Sequence, residues 1–250
     1  MRESSVLPRV IESGTQVFYP KIIIRDSSGT DVTYDSKIIN SIKVSKTAFS
    51  GETPSVGCCP SATATISLNL NELFDNQPYT DSDILEKIPK NARIIIQAYY
   101  KGTYDGSVHS DYLTLGYFYV DTRVIDEHSG NIELSCYDLM LRAEELYLNA
   151  IPTEESGFPM SDITVLQNIA SRLGITLTSA TVSAINKNYQ IGYPNDFTMR
   201  ELLGFIGGAY GGNFVISDDN SLKFLPMKPE SGTSVASFTA TEYKTSNDLL

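Results

Sequence analysis

At 250 residues and 41% hydrophobic composition, the chain can bury one large core or two ordinary ones. Its formal net charge of −11, with 30 acidic against 19 basic residues and no basic cluster, argues against a surface built to neutralise nucleic-acid phosphates. Three cysteines, adjacent at Cys58-Cys59 and distant at Cys136, fit neither a metal-ligand spacing nor an even disulfide framework, and read as reduced, buried thiols.

Residues 1–14 lack the apolar core of a signal peptide, and no run reaches the roughly 20 apolar residues of a membrane span. A soluble chain with no membrane contact is expected. Residues 17–25 (VFYPKIIIR) and 30–34 flank the turn cluster Asp26-Ser27-Ser28-Gly29, which predicts a first hairpin. Residues 38–49 continue as a half-buried strand, with Ile42 and Val44 alternating with polar neighbours. Residues 61–70 (SATATISLNL) alternate strictly, placing Ala62, Ala64, Ile66, Leu68 and Leu70 on one face of a strand that covers a core. The acidic, proline-containing residues 71–89 read as a long connection, mobile, with at most a helical turn around Ile84 and Leu85. Residues 92–100 and 112–120 frame a loop over 101–107, and residues 122–126 and 131–137 frame the turn His128-Ser129-Gly130. Seven or eight short strands joined by tight turns predict a closed antiparallel β-barrel, since closure leaves no exposed edge.

At Asp138 the period changes. Asp138 can cap a short helix through Leu139, Arg142, Ala143 and Leu146, and Pro152 with Gly157-Phe158-Pro159 marks a junction. A main helix is predicted from Ser161 or Asp162 through Leu173, with Gly174 as its C-terminal cap. A second opens at Thr198, where Glu201 completes a capping box and Phe197 can staple onto Leu202, and stops at about Tyr210 before Gly211-Gly212. Ser161, Leu166, Ile169 and Gly174 each have a counterpart 37 residues on, at Thr198, Leu203, Ile206 and Gly211, so the two segments read as similar helix-then-strand elements. Residues 213–217 and 222–225, separated by Asp218-Asp219-Asn220, predict a β-hairpin. The expected fold class is α+β, mainly β. It comprises an antiparallel barrel over residues 1–147, a smaller α/β domain over 148–226, and a linker or the start of a further domain over 227–250.

Residues 198–226 (TMRELLGFIGGAYGGNFVISDDNSLKFLP) resemble a segment of bacteriophage and prophage minor tail proteins of the baseplate hub family. There a helix opening T-x-R-x-L leads through a glycine break to a short strand and a turn. Gly207 stands where that pattern has alanine, and Asn220-Ser221 where it has glycine. Three more phrases occur in the family's order: Val56-Gly57 before a strand, Cys136-Tyr137-Asp138-Leu139-Met140 at the end of the β-rich part, and Tyr147 with Pro152-Thr153 leading into Leu166, Ile169-Ala170 and Gly174-Ile175. The resemblance runs from about Ile42 to Pro226. It implies a structural, non-enzymatic protein of the virion tail, assembled in the bacterial cytoplasm. Such a hub trimerises into a ring that joins the tail tube to the spike or tip, contacts other tail proteins and lets DNA pass without binding it specifically. Hubs of this family carry a second barrel beyond the point where this chain stops.

The chemistry-bearing residues point to no catalytic, cofactor or metal site. The only histidines, His109 and His128, fall in predicted hairpin turns away from any cysteine motif. The carboxylate pairs at Asp81/Asp83, Glu144-Glu145, Glu154-Glu155 and Asp218-Asp219 read as solvated faces or turns. Asp218-Asp219-Asn220 lacks the following ligands of a calcium loop, and the glycine pairs lie at a helix C-terminus, where phosphate is not favoured. An alternative function is a non-catalytic carbohydrate- or host-surface-binding β-domain. Its platform would be the tyrosines around Tyr99-Tyr100, Tyr104, Tyr112, Tyr117 and Tyr119, although such platforms favour tryptophan and this chain has none.

Overall fold

Period-two alternation across the first half of the chain produces seven antiparallel strands. The structure, a computed structural model, describes residues 16–49, 55–104, 107–126, 128–148 and 157–227. The strands are β1 (Gln16–Arg25), β2 (Asp31–Tyr34), β3 (Ile39–Ser45), β4 (Thr63–Asn69), β5 (Arg93–Tyr104), β6 (Ser107–Asp126) and β7 (Asn131–Tyr137), in the spatial order β2-β1-β5-β6-β7-β4-β3. Register pairs Ile22 with Ile96, Ile24 with Ile94, Ile66 with Leu134 and Ala64 with Cys136. All eight side chains are buried in one core, which the inward faces of the strands share.

The sheet curls but does not close, so the expected barrel over residues 1–147 is corrected to an open sheet. Among the described residues β2 and β3 stand at its edges, and no ladder joins β1 to β3 even though they approach within 8 Å. Two features explain the gap. β2 pairs with β1 only from Ile22 to Arg25, so among the described residues no strand pairs with that edge of residues 16–21 of β1, and Pro20 on that edge has no N–H to donate. The seam is lined instead by side chains, Tyr19 and Pro20 facing Ile42 and Val44 around a cavity of about 680 Å³.

Residues 71–89 are not the loose connection expected. Helices α1 (Leu70–Leu73) and α2 (Asp81–Lys87) bury Leu70, Leu73, Ile84 and Ile88 in the sheet's core. Thr80 caps α2 in a box with Asp83, a short-armed version of the usual glutamate that the sequence reading passed over. The loop expected over 101–107 is also mostly strand: β5 runs to Tyr104, β6 starts at Ser107, and His109 lies on β6 opposite Gly102 rather than in a turn. The segments 112–120 and 122–126 are parts of that one 20-residue strand.

A second core gathers around two capped helices. Helix α3 (Asp162–Leu173) starts at Ser161, whose side chain accepts from the Thr164 N–H, and ends at Gly174 with φ 69°. A 3-10 helix (Leu139–Glu144) capped by Asp138, the short helix α4 (Ser179–Ala184) and helix α5 (Met199–Ala209) complete the helical set. Strands β11 (Gly212–Ile216) and β12 (Ser221–Pro226) form the predicted hairpin, and β9 (Thr176–Leu177) adds to β12 in parallel. A two-residue pairing of β8 (Met160–Ser161) with β10 (Gln190–Ile191) and the helix α4 were not foreseen. Leu166 and Leu203, and Ile169 and Ile206, occupy matching buried positions on α3 and α5, and Gly174 and Gly211 share φ 69°, so the 37-residue correspondence is structural. The 3-10 helix and Tyr147 pack into this second core rather than the first. Pro152, Thr153, Glu154-Glu155 and the stretch from residue 228 onward lie outside the described residues.

Thr198 accepts from the Glu201 N–H at 3.1 Å, and Glu201 accepts in turn from the Thr198 N–H at 2.8 Å. Leu202 turns into the core, while Phe197 lies against Phe205 with ring centroids 5.1 Å apart. Thr198→Ala is expected to destabilise the protein by about 1 kcal/mol in chemical denaturation, as loss of an N-cap does. An unchanged midpoint would show that the box contributes nothing.

Candidate functional site

The place where chemistry and packing concentrate is the joint between the two cores. Residues 55–62 leave the sheet and lie across α5 and β11. The Gly57 N–H donates to the Gly212 carbonyl and the Phe214 N–H to the Cys58 carbonyl, both as loop-to-strand bonds. Gly57 has φ 76°, and a Cβ there would stand 2.9 Å from the Gly204 carbonyl oxygen; a Cβ on Gly204 would stand 2.8 Å from that of Gly57. Loop and helix therefore touch backbone to backbone, which only glycine permits at both positions.

Asn213 holds this loop. Fully buried, it accepts the Cys58 N–H at 2.9 Å through Oδ1 and donates through Nδ2 to the Ala48 and Ser55 carbonyls, each at 2.7 Å. Arg200 works from the helix side, bonding Glu144, the Ser61 hydroxyl and, at 3.0 Å, the Met140 carbonyl. Lys46 pairs with Asp218 and bonds the Leu115 carbonyl, linking the hairpin turn to a bulge in β6. Neither Asn213 nor Lys46 was singled out from the sequence. An asparagine opening a strand directly after two glycines was the available signal, because Asn is depleted from strands unless its side chain has a task.

Asp138 sits 5% exposed at the centre of the joint, its carboxylate accepting the Ala62 N–H at 2.9 Å and the Met140 N–H at 3.0 Å. Burial pushes its carboxyl up to about 6, against the opposing pull of those two N–H groups and of Arg200 and Lys46. Because the folded form holds the proton more tightly than the unfolded one, this group's contribution to stability is complete below pH about 4 and is lost as pH rises through about 6. The change amounts to about 3 kcal/mol. Measured from pH 4 to 7, the stability of the native chain relative to Asp138→Asn should therefore fall by about that amount. A pH-independent difference would overturn the assignment. Asp26, Asp83 and Asp126, held below the usual carboxylate range chiefly by hydrogen bonds from Ser28, Thr80 and Ser129, act at lower pH and in the opposite sense.

Two hollows flank the joint. One of about 500 Å³ is lined by Lys46, Asp138, Ser217, Asp218 and Lys223, and one of about 910 Å³ by Phe49, Val56, Leu141 and Phe205. The remaining chemistry-bearing residues are dispersed. Cys59 and Cys136 are buried in different cores, burial pushes both thiols up to about 12, and at neutral pH they are not thiolates. Cys58 faces the Ser55 hydroxyl at 2.9 Å, and His128 lies in the β6–β7 turn. Asp81 and Asp83 are in the first turn of α2, Glu144 and Glu145 pair with Arg200 and Arg172, and Asp218-Asp219-Asn220 is the β11–β12 turn. Among the described residues, no three of His, Cys, Asp and Glu come together as metal ligands, and no helix is long and apolar enough to cross a membrane.

No family model and no curated protein matches the chain. Among solved structures it is similar to the 43 kDa tail protein of prophage MuSo2 from Shewanella oneidensis, at 12% identity and a TM-score of 0.49 over 82% of this chain and 54% of that one. A tail protein from Neisseria meningitidis MC58 matches at 11% and 0.44, over 82% and 50% of the two chains. Prophage tail protein gp18 from Listeria monocytogenes EGD-e matches at 12% and 0.47 over the same shares. The chain spans about half the length of these structures.

Proposed function

We propose that this chain is a structural component of a phage or prophage tail. In this reading it is the first part of a baseplate hub that assembles as a trimer, joins the tail tube to the tip or spike, and lets DNA pass. It is assembled in the bacterial cytoplasm, carried in the virion, and has no catalytic activity. Its β-rich part and its α/β part, the latter taking in the 3-10 helix and Tyr147, act as successive units. One observation carries the reading. Phrases that resemble the hub family and lie far apart in sequence meet at the joint: Val56-Gly57 rests on Gly204 of the T-x-R-x-L helix, while Asp138 and Arg200 both bind the Met140 segment. A coincidental likeness has no reason to select residues that touch.

The acidic balance supports DNA passage. Each Lys or Arg facing a channel would release counterions from passing phosphates and retain the DNA, so a lumen with excess Asp and Glu favours transit. The test is sedimentation of the purified 250-residue chain with and without double-stranded DNA at low salt. The expected result is three times the single-chain mass and no DNA-dependent change. A species that is monomeric at every concentration, or tight salt-sensitive DNA binding, would sink the proposal.

A further inference from the structure

We propose that the outer face of β1, β5 and β6 is where one copy of this chain binds the next, and that it receives the acidic exposed face of helix α2 from that second copy. The inference rests on the ring-forming reading above and names its contact. The two halves of the sheet differ on their outward sides. On β3 and β4 the positions opposite the core are Ser41, Lys43, Ser45, Thr63, Thr65 and Ser67, as expected where a strand faces water.

On the other half several outward positions are aromatic or aliphatic. Tyr19, Tyr99 and Tyr112 form one row across three strands, with ring centroids 6.3 and 5.1 Å apart, and Tyr19 and Tyr112 remain about half exposed. Ile23, Ile95 and Tyr117 form a second row. Nothing in the hydrophobic effect favours leaving such rows in water, whereas tyrosine-rich apolar patches are what protein interfaces bury.

Charge selects the occupant. Lys21 and Lys101 stand on either side of the tyrosine row, Arg25 and Arg93 both pair with Asp31, and the exposed Asp121 and Asp126 of β6 lie towards the other end of that strand. Lys21 already lies 4.1 Å from the Tyr112 ring centre, so cation and aromatic surface are continuous. Helix α2 supplies the complement: it exposes Asp81 and Glu86 around Leu85, an apolar side chain 40% exposed between two carboxylates. Two different patches meeting in this way make a head-to-tail contact, the kind that closes into a ring, and the opposite charges fix its register.

Light scattering across a concentration series of the full chain tests this. The native protein is expected to form an oligomer. Tyr112→Ala, the Lys21→Glu/Lys101→Glu pair and the Asp81→Lys/Glu86→Lys pair should each raise the concentration for half-assembly at least tenfold, with unchanged circular dichroism. The chain carrying all four reversals should assemble again, because both faces have exchanged sign; a merely structural role for these residues would not be rescued. If the native chain assembles and the variants assemble equally well, or if the fourfold reversal fails to restore what the pairs lose, this surface is wrong while the hub reading stands. A native chain that is monomeric throughout overturns both, and oligosaccharide binding lost in Tyr112→Ala would then favour the sugar-binding alternative.

Discussion

Gly212→Ala is expected to cost at least about 3 kcal/mol, more than any other single methyl added to this glycine-rich stretch. The backbone at Gly212 is not left-handed, so the penalty is steric. A Cβ would overlap the Leu225 carbonyl oxygen and stand 2.5 Å from the Phe224 ring, both part of the hairpin partner strand. Gly211 beside it is the instructive control. Its φ of 69° costs an alanine about 1 kcal/mol in backbone strain, but the new methyl would meet nothing within 4 Å. Urea denaturation of both variants should show Gly212→Ala the more destabilised by a factor of two or more. Equal losses would mean that the hairpin yields, and that the close approach of β11 to β12 is not fixed.

Asn213→Ala is expected to lower stability by about 3–5 kcal/mol, because truncation leaves the Cys58 N–H and the Ala48 and Ser55 carbonyls without their partner inside the joint. In a chain of this size such a loss lowers the thermal midpoint by roughly 8 °C or more. Proteolysis at residues 47–49 and 55–60 should accelerate with it, since among the described residues these are joined to β11 through this side chain and two backbone bonds. Asn213→Asp separates the roles. Its carboxylate can still accept from Cys58 but repels both carbonyls, and it should be at least as destabilising as alanine. A midpoint within 2 °C of native in both variants would remove Asn213 from the joint.

These two sites differ in how far they could be read in advance. The strands and both main helices carry local signals: the alternation over residues 61–70 placed Ala62, Ala64, Ile66 and Leu68 on the core side, where they are buried, and Thr198 with Glu201 marked the start of α5. From sequence the helix α2 reads as at most one turn because its cap uses aspartate and its apolar content is only Ile84, Leu85 and Ile88, too few for a periodic signal. Gly211-Gly212 reads as the point where α5 stops. That describes Gly211, whereas Gly204 and Gly207 are there because the backbones of Gly57 and Gly212 lie against them.

Alternation, caps and turns act between residues a few positions apart, so the amino-acid sequence by itself determined the strand faces, the two capped helices, the β11–β12 hairpin and the 37-residue correspondence. Whether the sheet closed was not of that kind. It depended on the reach of β2 along β1 and on which edge Pro20 faces, and the outcome was an open seam where a barrel was expected. Only tertiary structure decided the joint as well, because Gly57 meets Gly204, Asn213 meets Ala48 and Lys46 meets Asp218 across separations of more than 140 residues. Contacts at such distances leave no period in a sequence; their energy comes from close approach and from polar groups that find partners only when the two cores come together.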